Sequence, residues 1–144
     1  MALLGEGVPP ARGATALEAL RIAVALLILI HGVYRLTMGL VAPFGTWLDS
    51  IGFPYGYAWA MAVTLYELAG PALMLARRWT SFAALGHAGI LTLGAVLVHM
   101  PAGWFVVGAG RNGVEYSVLL IAALLAIAWA WWPRRGGAET VTRH

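Results

Sequence analysis

The chain has 144 residues, of which 61% are hydrophobic and 10% are charged, and its mean hydropathy is +0.81. These values exclude a soluble globular domain and are typical of a polytopic membrane protein, and the length predicts a single domain over residues 1–144. The absence of cysteine excludes disulfides, thiolate metal sites and c-type haem attachment, and the net charge of +3 comes from arginines beside the apolar segments, which excludes a basic stripe for a nucleic-acid partner.

Four apolar segments follow one another along the chain, and each is long enough to cross the roughly 30 Å core of a bilayer as a helix of about 20 residues. They cover residues 17–40, 57–76, 80–100 and 113–132. Proline or arginine follows each segment, as expected at a helix end. The sequence therefore predicts an all-α membrane protein, a four-transmembrane-helix bundle with a polar tail at residues 133–144.

The distribution of arginine predicts the direction of the spans. Cytoplasmic loops of membrane proteins carry an excess of Lys and Arg. Only Arg111 lies in a loop on one side of the predicted spans, and seven arginines lie on the other: Arg12, Arg21, Arg77, Arg78, Arg134, Arg135 and Arg143. We therefore expect a multi-pass protein with both termini in the cytoplasm. All nine basic residues are arginine, which is typical of GC-rich coding, so we expect a bacterial source and the bacterial plasma membrane.

The first outer loop, residues 43–56, contains a helical pattern of its own. Phe44, Trp47, Leu48 and Ile51 stand at positions i, i+3, i+4 and i+7, the spacing of one apolar helix face. We expect a short helix that lies in the outer interface of the membrane.

Glu67 is the only charged residue in the segment 57–76, about 15 Å from the outer end of its helix. An ionisable residue at that depth is costly unless it has a partner or lines a polar cavity, and such residues are candidates for function. His31 and Arg35 share one face of the first helix because they are four residues apart. Further polar residues fall at the outer ends of the other predicted spans, namely His99, Asn112 and Glu115. The pattern predicts a polar cleft that opens outward, with Glu67 at its floor.

Each of these residues also has a structural interpretation. Asn112 and Glu115 have the spacing of a capping box that starts the last helix, and Glu115 could instead pair with Arg111. Arg35 could extend to the interface without a partner, and Glu67 could serve only as a structural partner of Arg35 or His31. His99 could make local hydrogen bonds at its helix end, and His87 could be packed within its helix. No established metal-ligand spacing is present, so we expect no metal site.

Several segments carry a family resemblance. They are LRIAVALLILIHGVYRL (20–36), IGFP (51–54), YELAGPALML (66–75) and HMPAGWFVVGAGRNGVEYSVLL (99–120). In this order and spacing the chain resembles the DoxX family of small four-helix membrane proteins. The resemblance implies a four-helix bundle in which Arg35, Glu67, His99, Asn112 and Glu115 are the polar motif residues. It also implies a functionally mixed group, which includes subunits of quinone-linked oxidoreductases and a receptor-assembly chaperone.

Three functions remain open from the sequence, of which a small-solute transporter or channel ranks last because four helices are few for that task; the other two are favoured. The first is a membrane subunit of a redox or respiratory assembly that binds a quinone or a similar lipid-soluble ligand, without a covalently bound cofactor of its own. The candidate ligand-binding residues are His31, Arg35, Glu67, His99, Trp104, Asn112 and Glu115. The second is an accessory or assembly subunit without chemistry, packed on a larger membrane complex. The partners expected are membrane lipid and either other membrane subunits or further copies of this chain.

Overall fold

The computed structural model describes residues 10–108 and 110–133, and these residues contain helices and no strand. The helices are α1 (Pro10–Thr37), α2 (Val41–Ser50), α3 (Gly56–Leu75), α4 (Thr80–Gly94) and α5 (Glu115–Ala130). α4 continues through a π-helical turn, Ala95–His99, and a 3-10 turn, Met100–Ala102. The expected polar tail beyond Pro133, with Arg134, Arg135 and Arg143, lies outside the described residues.

Among the described residues, three helices are long and apolar enough to cross a membrane: Pro10–Thr37, Gly56–Leu75 and the continuous helix Thr80–Ala102. They coincide with the first three predicted segments. The fourth, α5, is apolar but has 16 residues, which corresponds to a length of about 24 Å. The all-helical prediction is therefore confirmed for the described residues, with three helices of full spanning length and one shorter apolar helix.

The short helix expected after the first span is present as α2. Phe44 and Trp47 are half-buried and Leu48 is buried against α3. Ile51 does not join this face, because α2 ends at Ser50 and Ile51 is 41% exposed just beyond it. The side chain of Asp49 accepts a hydrogen bond of 2.8 Å from the backbone N–H of Gly56. That bond fixes α2 to the first residue of α3.

The helices form two groups. α1 and α2 pack mainly on α3, whereas α5 packs mainly on α4. Contacts between α3 and α4 and between α1 and α5 are less extensive. We call α1, α2 and α3 the first group, α4 and α5 the second group, and the boundary between them the seam. The end of the bundle that carries α2 is called the α2 end.

Away from the α2 end, the seam is filled by a hydrophobic core. Its buried members come from α1, α3, α4 and α5 and are mostly small: Val24, Ala25, Ile28, Met74, Ala83, Ala84, Ala88, Leu124, Ile127 and Ala128. Small side chains allow membrane helices to approach closely, which increases van der Waals contact. This half of the bundle is therefore tightly packed.

Arg21 stabilises the same half of the bundle. The arginine distribution places it with the cytoplasmic flanks of the spans, but it lies inside α1 and is 2% exposed. Its guanidinium donates to the Glu18 carboxylate at 2.6 Å and to the backbone carbonyl of Met74, and it lies 5.7 Å from the centre of the Trp131 ring. A cation at the last turn of α3 is favourable, because the carbonyl groups at the C-terminal end of a helix carry partial negative charge. Arg21 thus connects α1, α3 and α5.

α1 and α3 approach each other closely where Gly32 meets Glu67. A Cβ atom on Gly32 would lie 2.9 Å from the Cβ atom of Glu67, closer than side chains approach in real proteins. The buried positions of α3 recur at 60, 64, 67, 71 and 74, and those of α1 at 21, 25, 28 and 32. This alternation of four and three residues is the spacing of a helix-packing stripe. Gly32 therefore belongs to the surface by which α1 packs on α3.

We predict that Gly32→Leu lowers the thermal stability of the protein in detergent, because the new side chain must separate α1 from α3; overpacking costs about 1–3 kcal/mol. Gly89→Leu is the matched control, since Gly89 is helical and a Cβ atom there meets nothing within 4 Å. Melting curves of the two variants should differ clearly. Equal midpoints would show that the close approach at Gly32 is not required.

Candidate functional site

The Glu67 carboxylate is held by Arg35. Two nitrogens of the guanidinium donate to the two carboxylate oxygens, at 2.5 and 3.3 Å. The side chains of Arg35 and Glu67 are 14% and 9% exposed. A two-pronged contact of this kind combines charge attraction with fixed geometry. The alternative in which Arg35 extends away without a partner is therefore wrong, and the expected pairing of Arg35 with Glu67 is confirmed.

Two further contacts fix the position of Arg35. Its guanidinium lies 3.5 Å from the Thr64 hydroxyl and 4.8 Å from the centre of the Phe44 ring. The Thr64 hydroxyl in turn donates to the backbone carbonyl of Ala60 at 2.7 Å. A cation over an aromatic face is attracted by the ring electrons. Arg35 thus connects α1 with both α2 and α3.

A cavity of about 460 Å³ lies beside the ion pair. We call it the aromatic cavity, because α2 and α3 and the loop between them contribute Phe44, Trp47, Phe53 and Trp59 to its wall. Arg35 and Glu67 are among its polar lining residues. The opposite wall consists of residues of α4 and its π-helical turn, from Ile90 to His99. The aromatic cavity therefore lies in the seam, at the α2 end.

A second cavity of about 260 Å³ adjoins it. The two cavities share six lining residues, which are His31, Glu67, Ile90, Leu91, His99 and Ser117. The second cavity extends between α1 and α5, where it also reaches His87, Asn112 and Tyr116. Glu67 lines both cavities, and so it stands where they meet.

The π-helical turn places His99 in this region. Such turns are rare, and they change the direction of the side chains that follow. The Nδ1 atom of His99 lies 3.0 Å from the backbone carbonyl oxygen of Asn112. A carbonyl only accepts, so Nδ1 carries the hydrogen and Nε2 is the acceptor atom of the neutral ring. The expected local bonding at the helix end is wrong, since the partner is 13 residues further along the chain.

Glu115 has a structural role in the loop before α5. Its carboxylate accepts a hydrogen bond of 3.1 Å from the backbone N–H of Val106. α5 begins at Glu115 itself, and Val114 precedes it without a side-chain cap, so the capping box expected from Asn112 and Glu115 is wrong. Among the described residues, no ion pair joins Glu115 to Arg111.

The predicted site residues thus separate into two sets. His31, Arg35, Glu67, His99 and Asn112 line at least one of the two cavities. Trp104 and Glu115 line neither, and Trp104 is 54% exposed. The fourth helix begins two residues later than the predicted segment 113–132, and the loop turns Trp104 outward.

Several residues of this region were not expected from the sequence. Thr64 lines neither cavity but contacts Arg35. It stands one turn before Glu67, so its place on the same face could have been read from the spacing. Ser117 lines both cavities and is 8% exposed, but its position depends on how α5 is rotated, which no local pattern shows. Trp47 and Trp59 form part of the wall of the aromatic cavity, which no local pattern in the sequence shows.

His87 is packed, as expected, and is 1% exposed. Its ring makes an edge contact with the Tyr66 ring, with 4.7 Å between the ring centres. A Cβ atom on Gly70 would lie 2.5 Å from the Nε2 atom of His87. His87 also lines the second cavity. Within the described residues, no three His, Asp or Glu side chains are grouped closely enough to hold a metal ion.

Residues 16–100 match the DoxX family model. The chain belongs to the DoxX family. The match includes His31, Arg35, Glu67 and His99 and ends before Asn112, so the ion pair and most of the aromatic cavity lie within the family region. No curated protein and no solved structure matches the chain. The family and the long apolar helices together identify a membrane protein.

We predict that Glu67→Leu and Arg35→Leu each lower stability, because each leaves one buried charge without its partner; such losses are about 3–5 kcal/mol. The double variant should recover most of this loss, because both charges are removed together. Unfolding of the four proteins in one detergent gives the coupling free energy. Additive losses in the double variant would show that the pair contributes no net interaction.

The hydrogen bond between Glu115 and the Val106 N–H in the loop before α5 can be tested by substitution. Glu115→Ala removes the acceptor of the Val106 N–H, whereas Glu115→Gln keeps an acceptor oxygen. We therefore expect hydrogen exchange at the Val106 amide to increase in Glu115→Ala and to stay near the wild-type rate in Glu115→Gln. A lost hydrogen bond of this kind corresponds to about 1–3 kcal/mol. Equal exchange in both variants would contradict the role given to Glu115.

Proposed function

We propose that this DoxX-family protein is a membrane subunit of a redox assembly and binds a quinone, or a lipid-soluble ligand of similar shape, in the aromatic cavity. The observation that carries the proposal is the composition of that cavity. Aromatic rings form one wall, and a buried guanidinium and carboxylate lie at its side. Ligand pockets in proteins are typically 300–1,000 Å³ and mostly apolar, with a few placed polar groups. The aromatic cavity, at about 460 Å³, fits this description.

The residues present suit a quinone headgroup. Its flat ring can stack on aromatic walls such as Trp59 and Phe44. Its carbonyl oxygens need hydrogen-bond donors, and Arg35 and His31 carry them. His99 offers an acceptor nitrogen for the hydroxyl of a reduced headgroup. A bound quinone would supply two-electron chemistry, and because the chain has no cysteine and no recognised cofactor motif, electrons would come from a partner subunit.

We also propose how the helices are oriented in the membrane. α5 would serve as a fourth span, with a bilayer that adapts to its shorter length. The loop between α3 and α4, which carries Arg77 and Arg78, would face the cytoplasm. The side chain of Arg77 is 64% exposed, and basic loops favour the cytoplasmic side. Both termini would then lie in the cytoplasm, and the α2 end would face the outer side of the bacterial plasma membrane.

The proposal is tested by filling the aromatic cavity. Val63 lines this cavity, so we expect Val63→Trp to weaken binding of decylubiquinone at least tenfold in lipid nanodiscs, because the indole occupies the space of the ligand. Binding is measured by quenching of tryptophan fluorescence and by equilibrium dialysis. Melting temperature in the same nanodiscs verifies folding.

The matched control is Leu65→Trp. Leu65 is on the same helix, is 54% exposed and lines neither cavity, so its substitution should leave the Kd within twofold of the wild-type value. Equal Kd values for Val63→Trp, Leu65→Trp and the wild type would refute a ligand site in the aromatic cavity. Lack of quinone binding by the wild-type protein would refute the proposed ligand class.

The accessory function has one observation in its favour. Arg35 and Glu67 engage each other through both carboxylate oxygens, which suits a purely structural connection between helices. This function predicts that the double variant Arg35→Leu with Glu67→Leu still co-isolates with a larger membrane complex in equal amounts and has unchanged activity in it. Native mass spectrometry of the complex, together with quinone-dependent turnover, separates the two proposals.

A further inference from the structure

The two cavities lie where the two helix groups separate. The core fills the seam away from the α2 end, and its buried members on α4 and α5 lie at residues 83–88 and 124–128. Because α1 and α5 contact each other less than neighbours within a group do, the seam has room on that side. The second cavity occupies this room, between α1 and α5.

The second cavity reaches the flank of the bundle. Of its lining residues, Leu27 is 58% exposed and Tyr116 is 62% exposed, and His31 is also exposed. Leu27 and His31 are on α1, and Tyr116 is on α5. Leu27 is at least ten residues from either end of α1. At the depth of Leu27, an exposed side chain of a membrane-spanning helix faces hydrocarbon and not water, whereas Tyr116 is the second residue of α5 and lies near the end of its helix. The exposed edge of the second cavity is therefore an opening toward lipid.

Access from the α2 end is obstructed. α2 contributes Phe44, Trp47 and Leu48 to the wall of the aromatic cavity. α2 is also held in place, since Gly45 is so close to the backbone of Tyr57 that an added Cβ atom would lie 2.7 Å from its Cα atom. On the other side, the loop before α5 is fixed by the bonds of His99 and Glu115 described above. A ligand that arrives from water at the α2 end would have to pass these groups.

We infer that the second cavity is a lateral passage through which a ligand dissolved in the membrane reaches Glu67 between α1 and α5. The passage continues into the aromatic cavity through the six residues that line both. Leu27 and Leu120 form its apolar sides, and His31 and Tyr116 stand at its edge. The ligand class is an amphiphile with a polar head and a hydrocarbon tail. This inference rests on the proposed function in that it takes the aromatic cavity as the destination.

Photolabelling from the lipid phase tests the passage without requiring a quinone. An alkyl diazirine with a long hydrocarbon tail is dissolved in nanodisc lipid and illuminated; it loses N₂ and forms adducts with nearby carboxyl and imidazole groups. Mass spectrometry of peptides then reports adducts on Glu67 and His31. We expect both residues to be labelled in the wild-type protein.

Bulky side chains should close the passage. Leu27→Trp and Leu120→Trp place an indole at its sides, and we expect each to reduce the Glu67 adduct at least fivefold. The matched controls Leu26→Trp and Leu119→Trp are next to them on the same helices, are apolar and exposed, and line neither cavity. Labelling in the controls should remain within twofold of the wild-type level.

Three results would overturn the lateral passage. The first is that the wild-type protein carries no adduct on Glu67 or His31. The second is that all four variants are labelled equally. The third is that labelling is lost in Leu93→Trp but not in Leu120→Trp. Leu93 is 58% exposed and lines only the aromatic cavity, so the last result would place the opening between α3 and α4. Decylubiquinone that fails to compete with labelling, while Leu120→Trp still suppresses it, would refute the quinone proposal and leave the passage supported.

Discussion

The ion pair of Arg35 and Glu67 is the constraint on which the α2 end of the bundle depends. A lone charge at this depth would be costly, and the pair is possible only if α1 and α3 lie close together. Gly32 provides that proximity, because a side chain there would collide with Glu67. Gly32 and Arg35 are three residues apart and share a helix face. The same face of α1 therefore supplies both the close approach and the cation.

Arg21 and Arg35 both lie on that face of α1 and have different roles. They are 14 residues apart, close to four helical turns, and both reach α3: Arg21 contacts the carbonyl of Met74, and Arg35 contacts Glu67. Around Arg21 the seam is closed by small apolar side chains, whereas around Arg35 it is hollow. One half of the bundle is thus suited to hold the helices together, and the other half is suited to hold a ligand.

Much of this could be read from the sequence, for physical reasons that differ between residues. Long apolar segments and an isolated Glu67 are local signals, and the pairing of Arg35 with Glu67 follows because lipid offers a charge no other partner. The roles of Ser117 and Glu115 could not be read, because they depend on how α5 is rotated and where it begins. The site of Arg21 was missed for a related reason: a charge near a predicted boundary was interpreted as flanking, although α1 begins earlier, at Pro10, and buries it.

The structural and functional interpretations of Glu67 are compatible, because the donors of Arg35 are not exhausted by the ion pair. A guanidinium has five N–H donors, and the contacts with Glu67 and Thr64 account for three hydrogen bonds. Arg35 also lines the aromatic cavity, where a ligand oxygen could use the donors that remain. The pair would then hold Arg35 in one orientation before a ligand arrives, which reduces the entropy lost on binding. A structural ion pair in this position is therefore a reason to expect a ligand beside it, since it fixes the donor that such a ligand needs.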